Sequence, residues 1–232
     1  MDKFRHIDTW VFDLDNTLYD ANTGVFDQII EHMTQYVSDL LGISREEANA
    51  LRRTYWETYG TTLRGLMEEH RIDPYEFLRV AHDVDISGVP QCDVIKEKLA
   101  HLPGRKVIFT NSGQEFAGRM TRHLGIDHHF DGTFTIEDAN FLPKPRPETY
   151  YAIIEKFSFN PKKAAMFDDM QVNLKTAADT GMTTVWINCG EHSDGDGDNG
   201  TGGDVPAYIH HQTGKLADWL EATVPQHPVK KK

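Results

Sequence analysis

Apolar and polar positions along the chain alternate between two periodicities. Thr9-Trp10-Val11-Phe12 is a short apolar run that ends abruptly in Asp13-Leu14-Asp15-Asn16-Thr17, which predicts a buried strand followed by a polar turn. Phe26, Ile29, Ile30, Met33, Tyr36, Val37 and Leu40 then recur with helical spacing and make one apolar face, with Gly42 as terminator. Ser44 with Glu47 reads as a capping box that opens a second helix, ended near Tyr59 by Gly60. Asp73-Pro74 is a further helix start. Residues 20–88 are thus helical throughout by pattern.

After Gly88-Val89-Pro90 the texture changes. A helix over 92–102 leads to the strand Lys106-Val107-Ile108-Phe109, then a helix from Gln114 to Leu124 closed by Gly125. Ser112 and Glu115 read as its capping box. A weaker strand follows near 132–136, then a helix over 147–157 and the strand Ala164-Ala165-Met166-Phe167. A helix over 172–180 ends at Gly181, and Thr183 to Ile187 is the last clear strand. Strands alternating with helices predict an α/β fold: a parallel sheet flanked by crossover helices. The all-helical segment separates the first strand from the rest. The expected organisation is therefore an α/β core of residues 1–19 plus 89–232, with residues 20–88 inserted as a helical cap.

The chain has 232 residues and a formal net charge of -12. An acidic surface repels the phosphate backbone, so no polymeric nucleic acid is expected as partner. A small phosphate ester remains possible, because local cations or a metal can reverse the field within one cleft. No stretch approaches the run of about 18 apolar residues that a membrane span needs. The charged N-terminal residues hold no apolar signal-peptide core. Cys92 and Cys189 read as free thiols in a reducing compartment, and the expected location is the cytoplasm. Residues 190–204, rich in Gly, Asp, Asn and Ser, read as a surface loop, and Lys230-Lys231-Lys232 as a frayed tail.

Polar residues at three strand ends carry the candidate chemistry, because ligands of open parallel sheets bind outside the carboxyl ends of strands. Asp13 and Asp15 follow the first strand. Two carboxylates at this spacing can share one cleft, one attacking phosphorus while the other handles protons. Thr110 and Asn111 follow the second strand and can donate to phosphate oxygens. Lys144, framed by Pro143 and Pro145, can hold one cation in one place. Asp168 and Asp169 follow a later strand. Adjacent acids after an apolar run are costly without a cation, and Mg2+ is the natural one, with Asp13 as a third oxygen donor. Asn173 is placed to support the Asp169 region.

Taken together, the chain resembles the haloacid dehalogenase superfamily of phosphotransferases. Asp13-Leu14-Asp15-Asn16-Thr17-Leu18-Tyr19 is similar to its first motif, Thr110-Asn111 to the second, Lys144 to the third, and Phe167-Asp168-Asp169 with Asn173-Leu174 to the fourth. The resemblance implies a Rossmann-like core with a helical cap inserted after the first motif, an aspartyl-phosphate on Asp13, and Asp15 as proton donor and acceptor. It also implies Mg2+ held by Asp13, Asp169 and the Asp15 main-chain carbonyl, with Asp168 acting behind them. Dehalogenases of the superfamily lack the second acid, so Asp15 favours phosphoryl transfer. Tyr55-Trp56-Glu57-Thr58-Tyr59-Gly60, Leu63-Arg64-Gly65-Leu66, His70 and Gly181-Met182-Thr183-Thr184 resemble the pyrimidine 5'-nucleotidases of this superfamily. Met170 departs from the Ser that often follows the acid pair, and the loop 190–204 is also unusual. The resemblance implies hydrolysis of pyrimidine nucleoside 5'-monophosphates, with Arg64, Tyr55, Tyr59 and His70 as substrate readers. The same core would serve a phosphatase for phosphoglycolate or a sugar phosphate, or a non-catalytic regulator.

Overall fold

A computed structural model of the chain describes residues 2–188 and 205–224. Its strands are β1 Thr9–Phe12, β2 Arg105–Phe109, β3 Gly132–Phe134, β4 Ala164–Asp168, β5 Thr183–Ile187 and β6 His211–Thr213. Among the described residues they form one parallel sheet in the order β3-β2-β1-β4-β5-β6. β1 lies at the centre, with Val11 opposite both Val107 and Met166. All four of its residues are buried, as expected of a strand covered on both faces.

Strand alternation divides the core. Trp10, Phe12 and Phe167 point to one side of the sheet, where Phe12 and Phe167 stack with centroids 4.7 Å apart. Val11, Val107, Phe109 and Met166 point to the other, against Tyr150 and Ile153. The chain builds β1, β2 and β3 outward in one direction, then crosses to β4 on the far side of β1. The strand order therefore reverses between β1 and β4, and a crevice opens at their carboxyl ends.

The first four of the five α-helices between β1 and β2 are α1 Val25–Leu41, α2 Arg45–Tyr59, α3 Thr62–His70 and α4 Pro74–Ala81. They share a core of Val37, Ala48, Tyr55, Leu63, Leu66, Phe77 and Leu78, which Ile136 joins from beyond β3. The local signals behave as the chemistry demands. Gly42 ends α1 at φ +64°. Ser44 Oγ accepts from Glu47 N while the Glu47 carboxylate accepts from Ser44 N. Asp73 accepts from Tyr75 N at 3.0 Å. Gly60, at φ +91°, ends α2 against the loop before α7: a Cβ there would lie 3.0 Å from Pro143 Cγ. The remaining helices are α5 Asp93–His101, α6 Gln114–Leu124, α7 Pro147–Phe157, α8 Gln171–Thr180 and α9 Leu216–Thr223.

Three sequence expectations are corrected. Ser112 and Glu115 make no capping box. Gly113 is the N-cap of α6, and the Glu137 carboxylate accepts from Gln114 N at 3.0 and 3.1 Å. β3 stops at Phe134 rather than Ile136, because the Asp138 carboxylate accepts from Thr135 N at 3.0 Å and turns the chain. Thr183–Ile187 is not the last strand. β6 continues the sheet, and the polar His211-Gln212-Thr213 carries no hydrophobic signal because it is an edge strand. α9 follows and buries Leu216, Trp219 and Leu220 on the Trp10 side of the sheet. Cys189, the loop 190–204 and the terminal lysines lie outside the described residues.

Candidate active site

The first strand delivers Asp13 with little freedom. Asp13 N donates to Phe167 O at 2.9 Å, which extends the β1–β4 pairing one residue past the strand. Asp168 and Asp169 leave β4 beside it, and Trp186 Nε1 anchors the Asp169 carbonyl at 2.8 Å. Oxygens of Asp13, Asp168 and Asp169 all lie within 4.8 Å of one another, and all three residues are buried. Lys144 enters this cluster from the loop before α7. Its Nζ donates to Asp13 Oδ1 at 2.7 Å, Asp168 Oδ2 at 2.8 Å and Phe109 O at 3.0 Å. These bonds take up its three protons.

Burial pushes the Asp13 carboxyl well above the ordinary carboxylate range. Attraction to Lys144 opposes the rise, and repulsion from Asp168 and Asp169 adds to it. Burial and then Asp168 push Asp169 up to about 7. Burial alone would lower the Lys144 ammonium, but Asp13 and Asp168 outweigh it and hold it above the usual lysine range. Ionised together, three carboxylates against one ammonium would leave an excess of two negative charges in a buried space, which is what resists their ionisation. An all-oxygen donor set with that imbalance suits a hard divalent cation such as Mg2+.

Three donors hold the Asp168 carboxylate at the buried end of β4: Lys144 Nζ, Met170 N at 2.9 Å and Asn173 Nδ2 at 2.9 Å. Asn173 thus supports Asp168, not the Asp169 side chain as its place one turn onward suggested. Asn16 Nδ2 donates to Asp169 instead, at 3.2 Å. The Asp15 carboxylate stands apart from the three-acid cluster. It accepts from Tyr19 Oη and from Ser112 Oγ at 2.7 Å, with Thr110 Oγ1 further off at 3.4 Å.

The second strand end bonds within the chain. Thr110 Oγ1 accepts from Ser112 N at 2.9 Å, and the Asn111 amide brackets the Lys144 main chain, accepting from its N at 2.8 Å and donating to its O at 3.3 Å. Asn111 therefore places Lys144, and Thr110 shapes the turn that aims Ser112 at Asp15. Sequence reasoning passed over Ser112 as a helix cap. Tyr19 carried one usable signal, its position one helical turn after Asp15.

A cavity of ≈ 490 Å³ opens above these groups. Asp13, Asp15, Ser112, Lys144 and Asp169 line its base. Phe26, Ile29, Trp56, Leu63, Phe77 and Leu78 give its far side an apolar wall. The four expected substrate readers are not in that lining. Tyr55 Oη pairs with His70 Nε2 at 2.6 Å, Tyr59 Oη donates to Glu69, and Arg64 is ion-paired with Glu68. A Cβ on Gly65 would fall 2.4 Å from Tyr55, so α3 crosses α2 at a contact only glycine permits, and Tyr55 is packing. Neighbouring residues reach the cavity instead: Trp56 of the same helix, His82 and Arg146.

The model of the haloacid dehalogenase-like hydrolase family matches residues 7–181. The chain belongs to that family of hydrolases. Phosphate metabolism protein 8 of Saccharomyces cerevisiae is 30% identical over 193 residues, covering 75% of this chain and 59% of the relative. The chain thus spans less than two thirds of the length of that curated relative. Among solved structures, the HAD phosphatase from Thermococcus onnurineus superposes with a TM-score of 0.62 at 19% identity, over 92% of this chain and 96% of its own. L-2-haloacid dehalogenase from Xanthobacter autotrophicus gives 0.56 at 15% identity, over 92% and 97%. At such identities these two report the fold alone. No helix among the described residues is long and apolar enough to cross a membrane.

Proposed function

We propose that the chain is a phosphatase of small phosphate monoesters that works through an aspartyl-phosphate on Asp13, with pyrimidine nucleoside 5'-monophosphates as preferred substrates. The observation that carries the reading is the Lys144 ammonium bonded to both Asp13 and Asp168 at the base of a cavity that also holds Asp15. A carboxylate aligned by a buried cation, with a second carboxylic acid beside it, has the two parts that phosphoryl transfer to a side chain requires.

In the first step an Asp13 oxygen bonds to phosphorus as the ester P–O bond breaks, and Asp15 gives its proton to the leaving oxygen. In the second, Asp15 takes a proton from water, the hydroxide oxygen bonds to phosphorus, and the Asp13–phosphorus bond breaks. Tyr19 and Ser112 hold Asp15 in one orientation for both transfers. Lys144 balances charge on Asp13 and on the phosphoryl oxygens. Asp13, Asp169 and the Asp15 carbonyl would hold Mg2+, with Asp168 behind them; bound there, it would supply positive charge to the phosphate. Thr110 and Asn111 support these groups. Residues 20–88 act as a cap on the core of 1–19 plus 89–232, covering the reaction and admitting the leaving group against their apolar wall.

That wall, with Trp56 among its residues, favours a flat, uncharged leaving group such as a pyrimidine nucleoside. One observation favours an acidic ester such as phosphoglycolate instead: Arg146 lines the cavity and is exposed. Hydrolysis of UMP, CMP, AMP and phosphoglycolate with Mg2+ separates the two. The expected result is a kcat/KM for UMP and CMP above the others by about tenfold or more. A preference for phosphoglycolate would replace the pyrimidine reading, and turnover by a folded Asp13→Asn variant would end the mechanism.

A further inference from the structure

His82 is a cavity residue for which the proposed reaction has no use. It caps the C-terminal end of α4, where the chain leaves the helical layer for the core. Its ring lies on Phe116 of α6, with centroids 4.7 Å apart and planes at 16°. Arg119, on the same helix as Phe116, donates to the main-chain carbonyls of His82 at 2.6 Å and Val84 at 3.2 Å. Ring plane and main chain are therefore both fixed from the core side.

The ring lines the cavity together with Asp15 and Ser112. Gly113 borders the ring: a Cβ there would stand 3.6 Å from His82 Nδ1. The His82 main-chain N donates to the Leu78 carbonyl at 3.0 Å, one turn back in α4. The charged groups that face the ring are Asp15 and Glu137, which favour its proton, and Arg119, which opposes it. Burial outweighs the two acids and lowers its affinity for a second proton. A neutral imidazole carries an N–H on one nitrogen and a lone pair on the other.

We propose that His82 determines leaving-group specificity: a ring nitrogen accepts a hydrogen bond from a hydroxyl or N–H group on the leaving side of the ester. The class of substrate it selects is a phosphate monoester whose leaving group carries such a donor. The inference rests on the reading of Asp15 as proton donor, because Asp15 marks the side of the cavity on which the leaving group sits.

The test compares esters with and without that donor. UMP and glucose 6-phosphate carry hydroxyl groups on the leaving side, and p-nitrophenyl phosphate carries none. H82F keeps a ring on Phe116 and loses the acceptor. It is expected to lower kcat/KM for the hydroxyl-bearing esters by about tenfold. It should leave p-nitrophenyl phosphate within about twofold of the wild-type value. H82Q, which restores an acceptor, should recover part of the loss. An equal fall on all three esters in both variants would make His82 a packing residue and overturn the proposal, as would no fall at all. The pyrimidine reading fails separately, when the wild-type protein itself prefers glucose 6-phosphate to UMP.

Discussion

At the scale of single residues, the site is governed by charges that share too little solvent. Asp169 is the clearest case. Its carboxyl has an ordinary value of 3.8 and is pushed up to about 7 in the folded chain, by burial first and Asp168 second. Between those two values the folded state holds more protons than the unfolded chain, so this group's effect is to reduce stability as pH rises. The metal-free protein is therefore expected to melt at a higher temperature near pH 5 than near pH 8, and Asp169→Asn should flatten that difference. Melting curves of both proteins in a chelator at the two pH values measure it. Equal slopes in wild type and variant would show that Asp169 carries no such shift. The residue types here were all legible in the sequence, and Asp13, Asp168, Asp169 and Lys144 do converge. Their division of labour was not legible. Nothing in Thr110-Asn111-Ser112 says which side chain faces the acid and which faces the main chain of Lys144, because those partners are 33 to 97 residues away.

At the scale of elements, the helices announced themselves by caps and periodicity, whereas their crossings did not. Ser44, Asp73 and Gly42 act within one turn of their own position, so local sequence suffices for them. The choice between Tyr55 and Trp56 as the residue that meets the cavity depends on the rotation of α2, which the contact with Gly65 of α3 sets. Gly65→Ala would place a methyl group where the Tyr55 ring now lies. The helices must separate, at an expected cost of about 1–3 kcal/mol. For a chain of this size that corresponds to a fall in melting temperature of roughly 2–12 °C. Thermal unfolding followed by circular dichroism checks it, and an unchanged midpoint would mean that α2 and α3 are not tightly crossed.

At the scale of the whole molecule, β6 and α9 complete what residues 1–188 begin. Trp219 packs edge-on against Phe4 and Phe167, and close to Trp10, at centroid distances of 5.1, 4.7 and 5.8 Å. Lys98 Nζ, buried in α5, donates to Val224 O at 3.0 Å. Removal of the chain from residue 205 onward would strip one face of the sheet and leave that ammonium without its partner. Such a protein is expected to lose its cooperative melting transition and to bind a hydrophobic dye. A sharp transition close to that of the full chain would show that the sheet is complete without this segment. Trp219→Ala tests the same contact more gently, with an expected cost of about 3–5 kcal/mol.

The sequence by itself determined the alternation of strands and helices, the helical segment between the first two strands, and the four chain segments that supply carboxylates and an ammonium. Those properties depend on periodicity, capping and residue chemistry, which act over a few positions. Tertiary structure alone decided that β6 extends the sheet, that Ser112 and Tyr19 hold Asp15, that Asn173 supports Asp168, and that His82 and Trp56 face the cavity while Tyr55 and Arg64 do not. Each of these outcomes depends on the relative rotation and register of elements distant in the chain. Those are set by how side chains fill a shared core, and no single segment carries that information.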